Sequence, residues 1–89
     1  MIDKNERLRR GDILRNDWCD DSNPTHYGMY IGRGKVGHTD CFMLIGYDGK
    51  KRGYAVDNNR LINVGHLDEY DSFVASLKAL DHSVGGDES

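Results

Sequence analysis

The segment "DCFMLI", residues 40–45, is apolar on both of its faces. Side chains alternate across a strand, so Cys41, Met43 and Ile45 point one way and Phe42 and Leu44 the other. A sheet with one face in water has no use for that pattern. Whatever fold this chain adopts must therefore cover both faces of this strand. The C-terminal part supplies one cover. "LDEYDSFVASLKAL" puts Tyr70, Phe73, Val74, Leu77 and Leu80 on one helical stripe. Asp68 is placed to cap the helix, and Glu69 and Asp71 suit its first turn. The spacing predicts a helix over about 69–80.

The rest of the chain reads as strands and turns. "GDILRND" gives a first strand, Asp12 to Asn16, and "DWCDDSNPT" a loop that holds the one proline, Pro24. "HYGMYIG" alternates, with Tyr27, Met29 and Ile31 on one face and His26, Gly28 and Tyr30 on the other; His26 is read as the start of the strand. "RGKVGHT" is expected to be a second loop. "GYDGKK" predicts a two-residue type I′ hairpin at Asp48–Gly49, which sets Ile45 opposite Arg52 and Met43 opposite Tyr54. "YAVDNNRLINVG" reads as strand, tight turn, strand. The expected domain is residues 11–82, between a flexible segment 1–10 and a disordered tail 83–89.

Five short strands in this order, closed by "AVDNNRLINV", resemble SH3-like barrels over residues 11–65. The resemblance implies a mainly β fold: a small five-stranded SH3-like barrel with one C-terminal helix on one face. Over most of the chain, "GDILRNDW", "NP", "YGMYIG" and "VGHLDEYDSF" are also similar to small uncharacterised proteins of bacterial phages and mobile elements. "GD" followed by "HYGMYIG" resembles the histidine strand of papain-like cell-wall peptidases, whose chemistry needs a cysteine at a helix N-terminus. Cys41 lies mid-strand and Cys19 among carboxylates, so that nucleophile is missing and His26 is read as structural.

Composition narrows the function classes. At 89 residues there is room for one domain with a thin core. A net charge of −3 speaks against nonspecific nucleic-acid binding as the main activity. "MIDKNERLRRGD" has no apolar h-region, no apolar run approaches a membrane span, and two cysteines without CxxC spacing suit a reducing compartment. A cytoplasmic protein without membrane contact is expected. The acidic loop lacks the alternating ligands of a calcium site, and His38, His66 and His82 have no metal-ligand spacing. No cofactor or metal is expected, and His66 is read as a structural polar contact.

The leading expectation is a noncatalytic binding module, a phage or mobile-element accessory protein that engages a host protein. The partner is expected to be basic and to meet Asp17, Trp18, Asp20, Asp21 and Tyr30, where an aromatic plane edged with carboxylates attracts guanidinium groups. Trp18 as a lid on the barrel is the competing reading. Two further alternatives stay open. One is a nucleic-acid-binding barrel using Arg33, Lys35, Lys50, Lys51 and Arg52, taken to neighbour each other on two loops at one end. The other is a degenerate Cys-His hydrolase-like protein.

Overall fold

The computed structural model describes residues 2–3, 5–17 and 23–84. Five strands, β1 (Asp12–Asn16), β2 (Tyr27–Val36), β3 (Thr39–Ile45), β4 (Lys51–Ala55) and β5 (Leu61–His66), precede one helix, α1 (Tyr70–Val84). The strands form a single antiparallel sheet in the order β4-β3-β2-β1-β5.

The two faces of β3 are both covered, as "DCFMLI" requires. Leu14, Tyr30, Phe42, Leu44, Val56 and Leu61 pack together with Ile2 on one side. Ile13 and Met29 pack under Phe73 and Leu77 of α1 on the other, with Ile45 at the edge of that cluster. The helix stripe matches its expected residues, and the helix runs four residues beyond the expected end. Nothing in Asp81–Val84 breaks a helix, whereas Gly85 and Gly86 follow directly. Of the tail expected at 83–89, two residues thus belong to α1, and 85–89 lie outside the described residues.

The β3–β4 hairpin departs from the expected register by one residue. Ile45 faces Lys51, Leu44 faces Arg52, Met43 faces Gly53 and Phe42 faces Tyr54. The cause is the turn. A type I′ turn needs positive φ at Asp48 as well as Gly49, and only Gly49 has it, at 83°. The loop instead holds three residues, Tyr47 to Gly49, closed by Gly49 N–H to Gly46 O at 3.0 Å and Gly46 N–H to Lys50 O at 2.8 Å. One extra loop residue moves every β4 side chain to the opposite face. Tyr54 therefore joins the core around Phe42.

Residues 33–39, expected to be a loop, are mostly strand. Val36 pairs with Thr39 across a two-residue turn in which Gly37 takes φ of 64°. That turn makes β2 ten residues long. Two bulges bend the sheet: Ile31 is the extra residue between β2 and β3, and Val64 between β5 and β1. His26 does not open β2. It ends a short 3₁₀ turn, Pro24–His26, because Asn23 accepts from the Thr25 N–H at 3.0 Å and Pro24 suits the first helical position.

The sheet is open rather than closed by a continuous ladder. Its edges, β4 and β5, are not paired with each other among the described residues. They are nevertheless joined by only residues 56–60, so the sheet must curl until its edges lie within about 20 Å of chain. Tyr54 from one edge and Leu61 from the other share one core cluster. The Asn59 amide spans the gap in place of a ladder. Its Nδ2 donates to Ala55 O and Ile2 O, and its Oδ1 accepts from the Leu61 and Ile2 N–H groups, all at 3.0–3.1 Å. The N-terminal segment, expected to be loose, therefore buries Ile2, which is 2% exposed.

Candidate functional site

Two polar constellations stand at opposite ends of β1. The first joins the start of β1 to the start of α1. Asp12 is buried, and its Oδ2 accepts from the Arg9 N–H at 2.9 Å. Its Oδ1 meets His66 Nδ1 at 2.7 Å, and His66 Nε2 meets Asp68 Oδ1 at 2.8 Å. A carboxylate on each nitrogen favours the imidazolium, the form in which both nitrogens donate. The Asp12 hydrogen bond, then that of Asp68, raises the His66 pKa. Burial alone pushes the Asp12 carboxyl up, but the Arg9 backbone and His66 hydrogen bonds outweigh it and hold the pKa below the usual value. With both nitrogens engaged, His66 offers no lone pair to a proton or a metal. It ties the β5–α1 junction to β1, as does the Leu67 N–H bond to Gly11 O. The Asp68 carboxylate, expected to cap the helix, is turned to this histidine.

The second constellation lies past Asn16. A cavity of about 480 Å³ is lined by Asn16 at the end of β1, Tyr54 of β4, and Asn58, Asn59 and Arg60 of the crossing connection. Asp17 borders it, its N–H donating to Arg60 O at 2.6 Å. Asn16, Asn58 and Tyr54 bring amide and phenol groups to the cavity, and Asp17 stands exposed beside it.

Of the residues expected to meet a protein partner, Asp17 is exposed at this cavity, while Trp18, Asp20 and Asp21, like Cys19, lie outside the described residues. Tyr30 is not a surface residue. It is 7% exposed and meets Phe42 edge to face at 6.1 Å, because its strand alternation turns it into the curl of the sheet. The five basic residues of the nucleic-acid reading do not gather at one end. Lys35 lies beside the β2–β3 turn and Lys50 and Lys51 beside the β3–β4 turn, while Arg33 and Arg52 pair with Phe42 and Leu44, two residues apart on β3. These turns sit at opposite ends of the seven-residue β3, about 20 Å apart. Lys35 and Arg52 are within 3.8 and 3.4 Å of Asp40 and Asp48. The Arg33 guanidinium stacks over Phe42, 4.9 Å from the ring centre. Sequence spacing cannot reveal that split, since it depends on the hairpin that replaced the loop.

Cys41 is buried in β3, with its thiol donating to Thr39 O at 3.4 Å. Among the described residues no group of three His, Cys, Asp or Glu is arranged to hold a metal ion, and no helix is long and apolar enough to cross a membrane. No protein-family model, curated protein or solved structure matches the chain.

Proposed function

We propose that this chain is a small noncatalytic binding module of SH3-like type that takes up a basic segment of a partner protein at the Asp17 end of the curled sheet. The observation that carries this reading is the cavity lined by Asn16, Tyr54, Asn58, Asn59 and Arg60, beside which Asp17 stands exposed. Amide and phenol groups there suit the backbone of an extended segment, and Asp17, with Asp20 and Asp21 in the adjoining sequence, suits its positive side chains. The order of the strands, in which β1 pairs with both β2 and β5, supports the SH3-like assignment. The similarity to phage and mobile-element proteins makes a host protein the natural place to seek the partner.

The test is a titration of the ¹⁵N-labelled chain with an arginine-rich decapeptide, followed by amide shifts. Saturable shifts at Asn16, Asp17, Tyr54, Asn58 and Arg60 are expected, weakening with salt and with Asp17→Lys. Absence of saturation, or shifts centred elsewhere, overturns the reading. An oligothymidylate that binds at Arg33 and Lys35 would favour the nucleic-acid alternative instead.

A further inference from the structure

A second cleft, of about 410 Å³, opens at the other end of β1 on the face that α1 packs against. Its floor is apolar: Met29 and Ile45, paired across β2 and β3, and the bulged Ile31. Tyr70, at the start of α1, forms a wall, and its hydroxyl donates to Gly46 O at 2.5 Å. That bond pins the helix to the end of β3 and closes the cleft on that side. The volume is that of a pocket for a small organic molecule.

The rim is charged, and its charges are unevenly answered. Arg10 and Asp68 stand on it. The carboxylates of Asp12 and Asp68 are already engaged, Asp12 by His66 and Arg9, and Asp68 by His66. Arg10 is exposed, and among the described residues no carboxylate pairs with it.

We propose that the cleft binds a small organic monocarboxylate, with the carboxylate on Arg10 and the apolar body over Met29, Ile31 and Ile45 beside Tyr70. The closed side favours a compact molecule over a chain that runs through. Asp68 across the rim disfavours a second negative charge on the ligand. This site is separate from the cavity at Asp17, and either stands without the other.

The probe is 4-phenylbutyrate, titrated into the full ¹⁵N-labelled chain, with 4-phenylbutylamine as a cation of the same body. Saturable amide shifts are expected at Arg10, Gly11, Ile31, Ile45 and Tyr70. The exposed ion pair predicts binding weaker by roughly fivefold in Arg10→Gln, with an unchanged melting temperature. Ile31→Asp, at a half-buried position, provides a second variant that removes binding through the floor. Equal affinity for the amine, indifference to Arg10→Gln, shifts confined to other surfaces, or no saturation each overturns the proposal.

Discussion

His66 shows how one side chain can hold two ends of a chain together. The sequence marks it as a polar contact before the helix, and that much was legible. Its partner Asp12 lies 54 residues away, and no local pattern announces the pairing. The pair makes stability depend on pH in a defined direction. The His66 pKa is raised above its usual 6.5. Its contribution is complete below 6.5 and is lost as pH rises through the folded-state value. The Asp12 pKa is lowered below its usual 3.8, so its contribution is present above 3.8 and is lost as pH falls through the folded-state value. The melting temperature is therefore expected to fall as pH rises above 6.5. In His66→Gln that decline should be shallower; equal slopes in the two proteins would show that the imidazolium does not stabilise the fold.

At the scale of elements, the helix and β1 stand where periodicity puts them, because their apolar residues have nowhere else to go. The hairpins were less legible. "YDGK" is compatible with two loop lengths, and the choice turned on whether Asp48 adopts positive φ, a difference in sterics that no alternation pattern reports. The slip carried Arg52 and Tyr54 to the face opposite the expected one. "RGKVGHT" misled through its glycines: the Gly37 turn serves a hairpin that lengthens two strands. The helix has an energetic role that follows from the covered face. Phe73 is 1% exposed and packs in the cluster that holds Ile13 and Met29. Phe73→Ala should cost about 3–5 kcal/mol, read from the denaturant midpoint at constant slope. A loss under about 1 kcal/mol would mean that α1 only rests on the sheet.

For the whole molecule the decisive residue is Asn59, which sits in an unremarkable polar turn in the sequence. Its amide satisfies groups at the end of β4, the start of β5 and the N-terminal segment. At 7% exposure, its removal leaves buried backbone groups without partners. Asn59→Ala should cost roughly 2–4 kcal/mol and release residues 2–8 to fast hydrogen exchange. Slow exchange there in the variant would mean that Ile2 and Leu8 are held by packing alone. The same arrangement sets an order of events during synthesis. β1 to β4 can pair with their sequence neighbours as they emerge, but the outer edge of β1 waits for β5, as Ile2 waits for Asn59, 57 residues later. Until Leu61 is made, Leu14, Phe42 and Leu44 line a trough without its far wall. A nascent chain of this protein therefore exposes this apolar surface from the synthesis of Leu44 until β5 is in place, which makes that stage the point at which chaperones have most to protect.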